Sequence, residues 1–395
     1  MKKLLLLLAV AVLVGGAYLL GSANASKVIA VPEAAWTQGS AAAQAWREYT
    51  VSLEAAGARV FERTDRTNER LEGLQYLAQM AAASLEMKLA KGSAVEPQFT
   101  DWMADYRKFL GDSPDAIYHT AELSSEYRYE IRGNRGDAGY LGFMLYGRQL
   151  NGWNRAAGNL ALGDMRIAPD GDFRIVLSRT RPSDPDVDWL PLEDDIHMVM
   201  VRQYYHGRDG KQTARFNITN LDAPAYRPPG DAQVAAGLRA AALFFNDTVD
   251  GAIALTQMLQ GGPNSIDPPA SYSNDFGGVF YPTNDNEYYG GWFLLADDEA
   301  LVIEGAVPDA PYWSVSLQNL WMQSLDYGHY QVGLNDREIE TENGRYTVVI
   351  AHRQPPSGNW LDTAGHREGM VAIRYQQSQD SEKPSLRLVK FAELD

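Results

Sequence analysis

With 395 residues the chain is longer than one hydrophobic core usually organises, so two packed units, or one large unit with a helical attachment, are expected. Lys and Arg total 35 against 51 Asp and Glu, and the resulting charge of -16 repels phosphate backbones and argues against a nucleic-acid partner. The chain has no cysteine, which excludes thiolate nucleophiles, disulfides and Cys-ligated zinc.

Residues 1–25 read as an export signal: Lys2 and Lys3, an apolar run over 4–20, and Gly21-Ser22-Ala23-Asn24-Ala25 ending in a small-x-small site. Cleavage after Ala25 would leave the mature chain periplasmic or secreted. Retention would instead make the segment a membrane anchor, the chain's only expected membrane contact. From about residue 34 to 90 two amphipathic helices are expected. Trp46, Tyr49, Leu53 and Val60 mark the apolar stripe of one, and Leu71, Leu74, Leu77, Ala81 and Leu85 that of the other. Phe99, Trp102, Met103, Tyr106 and Leu110 repeat the spacing, predicting a third helix stopped at Gly111.

After residue 112 the pattern changes to short β-rich runs at 127–132, 140–146, 173–178, 197–205 and 214–219, separated by turn formers such as Gly133-Asn134 and Asp170-Gly171. A sandwich or jelly roll fits that rhythm. Pro228-Pro229-Gly230 breaks it, and Asp231 is placed to cap a long helix reaching Gly261. The loop over 266–289 has little periodicity, and Thr283-Asn284-Asp285-Asn286-Glu287 within it reads as a polar turn that also offers oxygen ligands.

The densest stretch runs from Gly290 to Trp321. Alternation over 312–321 puts Trp313, Val315, Leu317, Asn319 and Trp321 on one face of a strand, with Gln318 on the other. Asp297-Asp298-Glu299 is expected to turn a hairpin between 292–295 and 300–303, the second run ending at Glu304. His352 closes a strand at 346–352, residues 359–366 form a loop, and Arg374 rides a last strand over 371–375. Asp298 or Glu304 with His352 or His366 would supply an acid and a base, while Trp313, Gln318, Asn319, Trp321, Asn359, Trp360, Asp362 and Arg374 would line a ligand site. Each also has a structural reading as core, turn or capping group. His352 and His366 with nearby carboxylates suit a metal, but their spacing is not diagnostic, and neither metal nor cofactor is specified.

Gly291-Trp292, the run from Ala296 to Gly305, Tyr312-Trp313-Ser314-Val315-Ser316-Leu317, Gln323-Ser324 and the run from Asn359 to His366 together resemble the family catalogued as domain of unknown function 1214. The resemblance implies a jelly-roll-like β-sandwich, often exported and often beside a second β-rich unit. It implies no reaction and no catalytic residues.

The expected fold is α+β and mainly β, with jelly-roll-like sandwich units, an N-terminal helical region and a long connecting helix. Its parts are a helical region over 26–112, a first β-rich unit over 113–228, the helix over 229–263 and a C-terminal sandwich over 264–395. The expected function is binding of a small organic ligand, such as a sugar, lipid or aromatic compound, with hydrolysis or elimination as an open extension. A non-catalytic envelope or partner-binding role and a metal-assisted hydrolase are the alternatives. Gly-x-Ser-x-Gly, His-Glu-x-x-His and phosphate-loop motifs are all absent from the sequence.

Overall fold

The computed structural model describes residues 39–148, 154–207, 210–266, 281, 283, 285–378 and 381–394. The expected export signal over residues 1–25 and most of the loop over 266–289 lie outside them.

Three helices form one layer: α1 (Ala41–Arg63), α2 (Thr67–Leu85) and α3 (Asp231–Gln260). Ser40 caps α1 through the Ala43 amide. Asp231 is not the cap of α3, a place taken by Gly230; its carboxylate instead accepts from the Ala41 and Ala42 amides at 2.8 and 3.1 Å. One carboxylate thus ties the start of α3 to the start of α1, where the helix dipole favours negative charge. The stripe of α2 is also rotated from expectation: Gly73, Tyr76, Leu77 and Met80 are buried, whereas Leu71 and Leu74 face out. Helical spacing locates a stripe only to within a residue or two when apolar residues are abundant on both sides.

No third helix forms over residues 99–110. That stretch makes β1 (Thr100–Met103) and a tight turn, with Leu110 and Gly111 both at positive φ. Of the expected stripe Trp102, Met103 and Leu110 are buried while Tyr106 is exposed; Phe109, outside that stripe, packs on Trp102 at 5.4 Å, and these side chains are presented by a strand and a loop.

The first β unit continues with β2 (Ala116–Glu122), β3 (Tyr129–Asn134), β4 (Tyr140–Arg148), β5 (Asn154–Ala161), β6 (Asp172–Ser178), β7 (Asp188–Pro191), β8 (Ile196–Tyr204) and β9 (Arg215–Asn220). The second contains β10 (Asn286–Leu294), β11 (Glu299–Ala306), β12 (Tyr312–Gln318), β13 (Gly333–Asn335), β14 (Thr341–Glu342), β15 (Arg345–Ala351), β16 (Asn359–Asp362), β17 (Glu368–Gln376) and β18 (Ser385–Lys390). Each unit is a two-sheet sandwich. In the first, the order β1-β2-β8-β4-β5 faces β7-β6-β3-β9; in the second, β10-β17-β12-β13 faces a sheet in which β15 and β11 are central, flanked by β16 and β18.

Two expectations change here. The acidic corner at Asp297-Asp298 joins no hairpin, because β10 pairs with β17 while β11 pairs with β15 and β18. It is the crossing from one sheet to the other, as sandwich strands that follow one another often are. Residues 359–362 are not loop but a short strand parallel to β15, and β17 is followed by β18.

The units are two copies of one design. Central strand β8 lies between β2 and β4, and β17 between β10 and β12. Arg202 stands opposite Tyr118 and Gly142; Arg374 stands opposite Tyr288 and Ser314. The parallel pair β6/β7 sets Val176 against Trp189, and β15/β16 sets Val349 against Trp360. Both indoles donate at 3.1 Å to the carbonyl two residues further along that neighbouring strand, Ser178 and Ala351. Beside Gly133 lies the Phe173 ring, and beside Gly305 the Tyr346 ring.

Alternation sends one face of each central strand into its own sandwich. Val199 and Val201 join Leu141, Phe143 and Leu145 in the first core; Val371, Ile373 and Tyr375 join Trp313, Val315 and Leu317 in the second. The opposite faces meet along a seam between the units, continuous with the helical layer. Met198, Met200 and Tyr204 from β8 share this third core with Met370 and Ala372 from β17, together with Trp102, Phe244 and Trp321.

Candidate functional site in the seam

The seam carries buried polar groups among its apolar side chains. Arg202 and Arg374 both point into it and are only 5% and 6% exposed. Arg202 donates to the Tyr146 hydroxyl at 2.9 Å and to the Tyr281 carbonyl. Arg374 donates to Ser316 Oγ at 3.1 Å and to the carbonyls of Gly111 and Asp112. Among the described residues no carboxylate comes within ion-pair distance of either guanidinium. Asp112 is near Arg374 but makes no ion pair with it: its oxygens are taken by the Ser324 amide at 2.7 Å and hydroxyl at 2.5 Å, and burial raises its pKa against the attraction of Lys108, the Ser324 hydrogen bonds and the attraction of Arg374.

Around the two arginines stand Tyr118, Tyr204, Tyr281 and Tyr288. Burial pushes the Tyr118, Tyr146 and Tyr281 hydroxyls up to about 12, and that of Tyr204 further. Burial opposes the arginine charges, yet attraction to the neighbouring tyrosine oxygens as these ionise at high pH outweighs it, and both guanidinium pKa values rise. At neutral pH the seam therefore holds two cations among neutral hydroxyls. Its cavity measures about 90 Å³ and is lined on its apolar side by Trp102, Met103, Met200, Leu255, Met322 and Met370. A water needs roughly 10–15 Å³ on this scale, so the space admits several waters or one small ring. Gly111 beside it is at φ +76, a left-handed conformation that glycine adopts without strain; a Cβ there would make only ordinary contacts, 3.5 Å from the Gln318 amide and 3.6 Å from Arg374.

Of the residues singled out in the sequence, Arg374 lines this cavity; Gln318 lies outside the lining, its amide donating to the Asp112 carbonyl at 3.3 Å. A second group gathers where α2 docks. Glu72 accepts from Asn319 at 3.3 Å and lies 2.7 Å from His366 Nε2. Trp321, beyond the end of β12 and so off the face assigned to it, stacks on Tyr76 and donates to the Glu69 carbonyl at 3.0 Å. The rest are dispersed. Trp313 is core, 4.7 Å from the Tyr346 ring; Asn359 donates to the Glu340 and Thr347 carbonyls; Trp360 donates to Ala351. Asp362 accepts from the Ala364 amide at 2.8 Å. Asp298 is an exposed partner of Lys390, and Glu304 an exposed one of Arg387 at 3.6 Å. His352 Nδ1 meets Thr363 Oγ1 at 2.8 Å. In the β11/β15 register His352 falls opposite Glu299, leaving Glu304 five residues, roughly 17 Å, along the strand. Neither Glu304–His352 nor Glu304–His366 is assembled as an acid and base. Within 283–287, Asp285 accepts from Asn159 and Glu287 from the Ser381 amide, so their carboxylates point to different neighbours. Among the described residues no three His, Asp or Glu side chains gather as a metal requires.

Sequence reasoning missed Arg202, Tyr118, Tyr204 and Tyr288. The available signal was internal: Met198-Val199-Met200-Val201-Arg202 and Met370-Val371-Ala372-Ile373-Arg374 share Met-Val, an aliphatic residue and arginine at the same spacing.

The His366–Glu72 pair predicts a pH dependence. Burial lowers the His366 pKa, but hydrogen bonding and attraction to Glu72 outweigh this and raise it above 6.5. Its contribution to stability is thus complete below about pH 6.5 and is lost as pH rises through the folded value. Chemical denaturation from pH 5.5 to 9 should show this decline, and His366→Asn should remove it. An unchanged slope in the variant would exclude His366 as its source.

The family profile described as protein of unknown function (DUF1214) matches residues 119–208 and 279–380, one segment in each unit. No curated protein gives a significant match. Among solved structures, an uncharacterized protein from Burkholderia cenocepacia is 31% identical, with a TM-score of 0.82 over 89% of this chain and 98% of its own. A protein from Vibrio parahaemolyticus is 12% identical, with a TM-score of 0.47 over 80% of this chain and 98% of its own. With 31% identity across nearly the whole Burkholderia protein and the profile matched in both repeats, this chain belongs to the DUF1214 family of proteins of unknown function.

Proposed function

We propose that this protein binds a small organic ligand in the seam between its two repeats, and that it does so outside the cytoplasm, as the basic, apolar and small-residue pattern of residues 1–25 supports. The observation that carries the binding reading is a cavity whose apolar wall of Trp102, Met200, Leu255 and Met370 faces a few convergent polar groups. That combination is how small-molecule sites are built: apolar area holds the ligand and sparse polar groups orient it. Trp102 is itself positioned by Phe244 at 5.3 Å and Tyr281 at 4.8 Å, so its ring offers a fixed wall. The reading is of binding and not of catalysis, since Asp298, Glu304, His352 and His366 all lie outside this lining.

The test is calorimetric titration with small aromatic and short aliphatic compounds, repeated on Ala372→Phe, which fills the cavity from β17. At least one compound should bind the wild type and raise its melting temperature, a ligand at a hundred times Kd adding about 2.7 kcal/mol. Ala372→Phe should weaken it at least tenfold while keeping the native circular dichroism. Equal binding by a folded Ala372→Phe would place the ligand elsewhere.

A further inference from the structure

We propose that the ligand is an organic carboxylate with a small aromatic or short aliphatic body, its charge held between Arg202 and Arg374. This rests on the seam being the binding site. The reasoning begins with cost. Burying a cation without a counter-ion is expensive, and proteins usually pair such groups or leave them in water. Here two are buried in one seam, and their partners are the Tyr146 and Ser316 hydroxyls and the carbonyls of Tyr281, Gly111 and Asp112. All are neutral. Hydroxyls and carbonyls satisfy guanidinium hydrogens but leave the net charge in place, so an entering anion gains from both cations at short range and reduced dielectric.

Three further observations narrow the class. The arginines occupy equivalent positions in the two repeats, so the charge is approached from both sides of the seam. The neighbouring Tyr118 and Tyr204 hydroxyls, 3.4 Å apart, remain protonated and can donate to carboxylate oxygens. The other wall is thioether, indole and aliphatic carbon, which would be left uncovered by an inorganic anion and covered by a ring or short chain. At about 90 Å³ the space suits one ring and not a long acyl chain.

Matched pairs of equal shape isolate the charge. Benzoate, phenylacetate and hexanoate are titrated into the full-length mature protein beside benzamide, phenylacetamide and hexanamide, at pH 7.5 and low ionic strength. At least one acid should bind ten times or more tighter than its amide. In Arg202→Gln that ratio should fall below threefold, and Arg202→Lys, which keeps the charge, should retain most of it. An amide binding as tightly as its acid in the wild type overturns the proposal while leaving the seam as a binding site. If no acid and no amide binds, the binding reading fails and takes this inference with it. The wild-type comparison decides the matter even if Arg202→Gln does not fold.

Discussion

Trp321→Ala is expected to destabilise the protein by about 3–5 kcal/mol, the range for deleting a fully buried aromatic side chain. Trp321 is inaccessible to solvent, stacks on Tyr76 with ring centroids 6.2 Å apart, and donates from its indole to the Glu69 carbonyl. It is therefore the second sandwich's main hold on α2. The fit is close: a Cβ on Gly73 would approach the indole to 2.5 Å, so glycine is what lets helix and ring meet. Urea denaturation should register the loss, and limited proteolysis should cut α1 and α2 before either sandwich. Trp321→Phe keeps the stacking and loses the indole donor, so a smaller loss is expected. A Trp321→Ala protein within about 1 kcal/mol of wild type would mean that the helical layer is anchored elsewhere.

Gly305→Val should cost about 1–3 kcal/mol through overpacking of the second sandwich. An added Cβ would lie 2.5 Å from the Tyr346 hydroxyl oxygen and 2.6 and 2.7 Å from two carbons of its ring, which covers the glycine across the strands. That ring cannot retreat cheaply: its hydroxyl bonds that of Tyr375 at 2.6 Å and its face packs against Trp313. Gly133→Val should act in the same direction, because an added Cβ would run into the Arg215 carbonyl oxygen and lie 2.7 Å from the Phe173 ring. Thermal melting of both variants measures this. Wild-type stability of Gly305→Val would show that the Tyr346 ring moves away freely, and of Gly133→Val that the β3/β9 backbone shifts as well.

Much of the fold was legible because its signals are local. The strands at residues 140–146 and 173–178 fall where alternation and flanking turn formers put them, and the long helix after Pro228-Pro229-Gly230 ends at the expected glycine. What failed depends on partners distant in sequence. Nothing near Asp297-Asp298 distinguishes a hairpin from a crossing between sheets, since both need a polar turn between apolar runs. The run from Phe99 to Leu110 has helical spacing, but Trp102 is buried against Phe244 and Tyr281, contacts invisible to a short window.

The candidate site was less legible for the same reason. Arg374 is legible as a strand residue that could line a site, but its counterpart Arg202 lies far upstream in the other unit. Trp292, Trp313 and Trp321 drew attention by density, yet each is inside a core. A concentration of tryptophan records where a protein is packed, while the residues that matter here are polar groups buried without a charge partner. Burial is a property of the fold and has no one-letter signature.

The doubled architecture has one more consequence. In a dimer of identical chains, every substitution at the twofold contact is made twice, so the two faces must stay alike. Two repeats within one chain carry no such constraint, and their faces differ. Where β4 presents Tyr140, Gly142, Met144 and Tyr146 to the seam, β12 presents Tyr312, Ser314, Ser316 and Gln318. One face carries two tyrosines, a methionine and a glycine, the other a tyrosine, two serines and a glutamine, with an arginine on each central strand. The seam is thus closed by unlike faces, an asymmetry that two identical chains meeting on a twofold could not have.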